Sequence, residues 1–216
     1  MDARIGSLLG VAAVSGACAF VSVPGSGNLV TESRPVAGFS AVAVGGQGDL
    51  FIEQTGTESL TVTTDDNLLR YLSMEVRNGT LDLTTVDPFT HLRPTKGVVY
   101  KLTVRQLNGL VISGSGNAHM NGVDTDRLDV TISGAGEVAA QGSAHDLQLS
   151  ISGAGRYRGA DMKSERAHVE ISGAGRALVA PREELSARVS GAGTVQYVGD
   201  PRVTEHISGA GSVRRR

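Results

Sequence analysis

One tetrapeptide recurs through the second half of the chain. Ser-Gly-Ser-Gly begins at Ser113, and Ser-Gly-Ala-Gly begins at Ser133, Ser152, Ser172, Ser190 and Ser208. The spacings are 20, 19, 20, 18 and 18 residues, and the sequence between copies is varied and patterned. A fixed period of this length marks a stacked array whose repeats cannot bury their apolar faces alone. The expected turn residues are Ser113, Gly114 and Gly116; Ser133, Gly134 and Gly136; Ser152, Gly153 and Gly155; Ser172, Gly173 and Gly175; Ser190, Gly191 and Gly193; Ser208, Gly209 and Gly211. Two glycines per turn allow positive φ and close backbone approach. The residue between them is Ala in five copies and Ser in one, as expected where stacked turns leave little room.

Each turn is flanked by alternating residues. Ile112, Ile132, Ile151, Ile171, Val189 and Ile207 precede it directly, and Leu110, Val130, Leu149, Val169, Ala187 and Glu205 lie two residues earlier. Beyond the last glycine, Ala118, Val138, Tyr157, Ala177, Val195 and Val213 resume the alternation. Period two means strands with one buried and one wet face. A repeat of 18–20 residues holds strand, tight turn, strand and second turn, and no helix of ordinary length. Equivalent strands then lie side by side in parallel, joined by right-handed crossovers. The predicted fold is all-β, a flattened right-handed parallel β-solenoid (β-helix).

The first half carries the same unit in degenerate form. Val42 and Val44 precede a glycine-rich turn at Gly45–Gly48, and Leu50 and Ile52 follow it. Further strands are expected around Leu60–Val62, Met74–Val76, Leu81–Leu83 and Leu102–Val104, with Asn78-Gly79 as a hairpin turn. Asp65-Asp66-Asn67 before LLRYL reads as a capped short helix lying across the open end of the stack. One domain is expected over residues 34–216.

Residues 1–19 read as an export signal: an apolar run from Ile5 to Val14 is followed by the small residues SGACA. Two processing routes fit, cleavage before Phe20 or lipidation at Cys18. The alternative to both is an uncleaved membrane anchor. Residues 20–33, which include PGSGN, read as a flexible linker. Either route places the protein outside the cytoplasm, in the periplasm, in the outer membrane or at the cell surface.

The chemistry-bearing residues do not assemble into a catalytic motif. A single cysteine excludes an internal disulfide and a cysteine-based zinc site. A net charge of −2 gives no electrostatic footprint for nucleic acid. Gly134 to Ala139 matches a dinucleotide fingerprint on paper, but it sits between strands rather than opening a helix. His91, His119, His145, His168 and His206 fall at different phases of the repeat, which argues against a metal site. Asp124, Asp126 and Asp129 lack the glycine and terminal Glu of a calcium loop. The outward column Asp129, Gln148, His168, Ser186 and Thr204 is no carboxylate ladder, and aromatics are too few for a sugar-stacking platform. Arg214-Arg215-Arg216 reads as a solvated cap at a frayed end, and with Glu205 it discourages end-to-end stacking. No catalytic residue, cofactor or metal is expected.

GFSAVAVGGQGDLFIEQ, LTVTTDDNLL, VRNGTLDL and the chain of ISGSG and ISGAG motifs together resemble the bacterial family of auto-transporter adhesin head GIN domains, in the family's order from about Val36 to Val213. The resemblance implies a β-helix similar to pectin lyase-like proteins, in an exported or surface lipoprotein. It brings no catalytic residues. The function expected is a non-enzymatic scaffold of the cell envelope that binds a surface glycan or protein. Its alternatives are a polysaccharide-active enzyme on the same fold and a purely structural envelope module.

Overall fold

The structure, a computed structural model, describes residues 21–216. The expected signal and Cys18 lie outside the described residues. The strands are β1 (Val21–Pro24), β2 (Leu29–Arg34), β3 (Ala41–Gly46), β4 (Asp49–Gln54), β5 (Ser59–Asp65), β6 (Leu72–Arg77), β7 (Thr80–Thr85), β8 (Thr90–Arg93) and β9 (Val99–Val104). The repeats follow as β10 (Gly109–Gly114), β11 (Asn117–Gly134), β12 (Glu137–Gly153), β13 (Arg156–Gly173), β14 (Arg176–Gly191), β15 (Thr194–Tyr197), β16 (Arg202–Gly209) and β17 (Ser212–Arg215).

The repeats stack in register as a parallel β-solenoid. Ile112 pairs with Ile132, Ile132 with Ile151, Ile151 with Ile171, and Ile171 with Val189. The degenerate first coil obeys the same register, with Ser113 opposite Gly45 and Gly114 opposite Gly46. Hydrogen bonding continues through the turns: Ala154 N donates to Gly134 O at 2.9 Å, and Ala174 N to Gly153 O at 2.8 Å. Every coil therefore satisfies the backbone of the next, which is why no coil needs to stand alone.

The coil has three faces rather than the two expected. Inward residues of β11 step by two, except from Met120 to Val123 and from Thr125 to Leu128, where they step by three. Each longer step is a corner that turns the chain without ending the strand. The first coincides with a register shift between Met120 and Val123. Val130, Ile132, Leu149, Ile151, Val169 and Ile171 fill the interior behind the turns.

The two glycines of each turn have different physical reasons. The first holds positive φ, 114° at Gly153, and a Cβ there would lie 2.6 Å from Gly134 O of the coil before. The second is not in the left-handed region. It is required by space, since a Cβ on Gly155 would lie 2.5 Å from Cγ2 of Ile132. The residue between them is exposed, at Ala135 and Ala154 for example. The crowding expected at that position falls on the glycines instead.

Antiparallel strands close the N-terminal end. β6 and β7 form a hairpin that adds to β3, and β2, β5 and β9 add to β4. Asn78 and Gly79 turn the hairpin with φ of 50° and 76°, both positive as a type I′ turn requires. The expected capped helix is a single 3-10 turn, Leu69–Tyr71, with no side-chain cap. The residues read as its cap do other work. Asp65 accepts from Gly27 N (2.7 Å), Thr95 N (2.8 Å) and Thr95 Oγ1 (2.8 Å). Asp66 accepts from Ser26 Oγ (2.5 Å) and Asn28 Nδ2 (2.8 Å). The segment expected to be a flexible linker is thereby tied down, and its ends are the paired strands β1 and β2. At the other end Glu205 sits opposite Ala187 on β16, with its edge exposed.

Candidate functional site

In-register parallel pairing places equivalent outward residues of successive coils in columns, about 4.8 Å apart. On the face that follows the turns, one column runs Asp49, Asn117, Glu137, Arg156, Arg176, Thr194, Ser212. The next runs Phe51, His119, Ala139, Arg158, Leu178, Gln196, Arg214. Aromatic and acidic residues lie towards the N-terminal coils and arginines towards the C-terminal ones.

Two adjoining depressions of about 570 and 440 Å³ lie along this face and share Arg158, Leu178 and Arg216. Their lining contains five arginines, Arg156, Arg158, Arg176, Arg214 and Arg216, against one acidic side chain, Asp161. Glu137 pairs with Arg156 and Arg158, each at 3.1 Å. The Gln196 amide, with its oxygen turned to the guanidinium, accepts from Arg214 Nε at 3.3 Å and Nη2 at 3.2 Å. Arg176 and Arg216 have no side-chain partner among the described residues. At the other end of the face, Phe51 and His119 stack with centroids 5.0 Å apart and planes at 9°, and Phe51 is 40% exposed.

Sequence reasoning missed this site. It followed the outward phase before the turn, whose column Asp129, Gln148, His168, Ser186, Thr204 the register confirms. The signal lay at the residues one and three beyond each second glycine. The arginine run is not frayed: β17 pairs with β15, and Arg216 N donates to Tyr197 O at 3.0 Å. Alternation sends Arg214 to this face, while Arg215 pairs with Asp200 at 3.4 Å. The sequence also undercounted stacking surfaces, because Phe51 and His119 are 68 residues apart and meet only through coil register.

A third, more polar depression of about 430 Å³ involves Asp124, Asp126, His145, Lys163, Glu165 and Arg182. Its charges are mixed and in part mutually compensated. His145 Nδ1 is 2.8 Å from Glu165, and Ser143 Oγ donates to Asp124 at 3.0 Å. Nearby, Arg166 grips Asp146 through two hydrogen bonds of 2.7 and 2.9 Å, which hold that carboxyl below its usual range. Among the described residues no group of three or more His, Cys, Asp or Glu could hold a metal ion. The five histidines do not converge: His119 stacks on Phe51, His145 pairs with Glu165, and His168 stands in the column before the turn. Glu137, within the paper dinucleotide fingerprint, is held by the two arginines beside it.

A model of the family described as putative auto-transporter adhesin, head GIN domain, matches residues 38–201. The chain belongs to this family. Solved structures share the fold of this head GIN domain. A putative adhesin from Bacteroides fragilis is 23% identical with a TM-score of 0.74, covering 90% of this chain and 100% of its own. A putative lipid binding protein from Parabacteroides distasonis is 23% identical with a TM-score of 0.62, covering 90% and 99%. A putative adhesin from Parabacteroides merdae is 20% identical with a TM-score of 0.57, covering 91% and 99%. No curated protein matches. Among the described residues no helix is long and apolar enough to cross a membrane.

Proposed function

We propose that this head GIN domain is a non-catalytic binding module of the bacterial envelope, exported by its N-terminal segment. It acts as a rigid scaffold that holds a surface ligand against one solenoid face. The observation that carries this reading is the arginine-lined face, where two guanidiniums stand without partners, Arg176 on a strand paired on both sides and Arg216 just past the last strand, β17. Fixed cationic groups with no structural task are what a preorganised binding surface needs. The family's description as an adhesin and the adhesin and lipid-binding descriptions of the structural neighbours agree with a binding role. The test is adhesion of the purified domain to envelope preparations and to whole bacteria. Saturable binding supports the reading, and its absence refutes it.

The mixed-charge depression favours one competing reading, a polysaccharide-active enzyme using Asp124, Asp126 or Glu165 as acid or base beside Lys163 and Arg182. Turnover of an acidic polysaccharide that is lost in Asp126→Asn would establish it.

A further inference from the structure

We infer that the arginine-lined face binds an acidic polysaccharide, lying along the solenoid axis from the Phe51–His119 stack to Arg214. This inference names the ligand class of the binding module proposed above and rests on that reading.

Charge segregation is the first support. The chain carries a net charge of −2, yet five arginines line the two depressions of this face against one acidic side chain, Asp161, while Asp49 stands at the N-terminal end of the face and Glu137 is already paired with Arg156 and Arg158. A planar guanidinium is weakly hydrated and meets carboxylate or sulfate oxygens through two parallel hydrogen bonds. Arg176 is free to do so, and Arg214 is already oriented by Gln196.

Shape is the second. The column from Phe51 to Arg214 crosses six ladder spacings, about 29 Å at coil spacing. That length matches several sugar units of an extended polymer and far exceeds one small anion. Repeated cations on a repeating ladder suit a ligand that repeats its own charge.

The third support is the aromatic end. Phe51 and His119 stack on each other and are partly exposed, so each covers one face of the other and the outer faces and edges that remain offer apolar contact to the C–H groups of a sugar ring. Two other anionic partners fit less well. Single-stranded nucleic acid is held by successive stacking platforms within a basic field, and here there is one platform on an acidic chain. A bilayer surface calls for several protruding apolar side chains, and among the large apolar residues lining these depressions Phe51 alone is exposed, while Leu178 between the arginines is half-buried.

The full chain should be titrated with polygalacturonate, dextran sulfate and uncharged dextran. Phosphatidylglycerol vesicles and single-stranded DNA serve as competing anions. Wild type should bind both acidic polymers and not dextran, with affinity falling as salt rises. Arg176→Glu with Arg214→Glu should weaken binding at least about tenfold, through lost contact and added repulsion. The charge-matched control, Arg93→Glu with Arg188→Glu, changes exposed arginines elsewhere and should bind as wild type. Phe51→Ala should weaken binding while leaving its salt dependence unchanged. Failure to bind either acidic polymer overturns the inference, as does equal loss in both double variants or tighter binding to vesicles or DNA. Adhesion to bacteria measured in parallel separates the two readings. Adhesion that survives Arg176→Glu/Arg214→Glu overturns the ligand while the binding module stands, and no adhesion by wild type removes both.

Discussion

Gly153→Ala tests the turn at the level of single atoms. The residue sits in a central coil with neighbours on both sides, at φ 114°. An alanine there leaves the allowed L-residue region, at about 1–3 kcal/mol. Its Cβ would also lie 2.6 Å from Gly134 O, and relieving a contact of that kind costs about 1–3 kcal/mol more. The carbonyl cannot simply rotate away, because it accepts the Ala154 N–H that carries the ladder through the turn. Together the loss is about 2–6 kcal/mol. For a domain of this size each kcal/mol lowers the melting temperature by about 2–4 °C. Gly155→Ala has no φ strain and meets Cγ2 of Ile132 at 2.5 Å, a buried β-branched side chain with little rotamer freedom. It should cost about 1–3 kcal/mol. Gly211→Ala meets Val189 Cγ1 at 2.5 Å, again from the coil before. Having a neighbour on one side only does not spare it the collision, but its exposed coil can shift outward, so it should cost less than Gly155→Ala. Ser150→Val, outward on β12, should be near neutral because β-branched residues suit strands. Far-UV circular dichroism followed through heat and denaturant gives the ordering. If Gly153→Ala melts with wild type, or above Gly155→Ala, the assignment of φ strain to the first glycine is wrong.

Tyr157 has a buried hydroxyl with no hydrogen-bond partner, and burial pushes its pKa up. Tyr157→Phe should therefore stabilise the fold, by about 1 kcal/mol or more; a lower denaturation midpoint would show that the hydroxyl is satisfied after all. Hydrogen bonds from the Thr95 backbone, the Gly27 backbone and the Thr95 hydroxyl lower the Asp65 pKa despite the opposing effect of burial. A carboxyl depressed on folding stabilises fully above its unfolded pKa, near 3.8, and that contribution is lost as pH falls through the lower folded value. Asp65→Asn should accordingly be less stable at neutral pH and lose this acid limb, read from melts between neutral and strongly acid pH; an unchanged acid limb would clear Asp65 of the role. Mass spectrometry of the protein recovered from cells should show loss of the first 17 residues or more, with a lipid mass on Cys18 if that route operates; an intact Met1 terminus would refute export by cleavage or lipidation.

The repeat made the fold legible because in-register stacking demands the same chemistry at the same phase in every coil. Ile112, Ile132, Ile151 and Ile171 recur for that reason, and their alternation identified strands, buried face and parallel pairing without coordinates. The hairpin at Asn78-Gly79 was equally plain, since few residue pairs tolerate two positive φ angles. Asp65 and Asp66 were misread because an acidic pair before an apolar run fits a helix cap locally. Only folding brings Gly27 and Thr95 close enough to claim the Asp65 carboxyl. The third face of the coil was hidden in steps of three within a period of two. The arginine-lined face was hidden for a related reason. Its members lie in separate repeats, and a linear sequence records the phase of each residue but not which columns share a face. Local periodicity fixes which side chains point inward. The angle at each corner and the register of the stack decide which outward side chains meet, and those are set by packing among residues far apart in the chain.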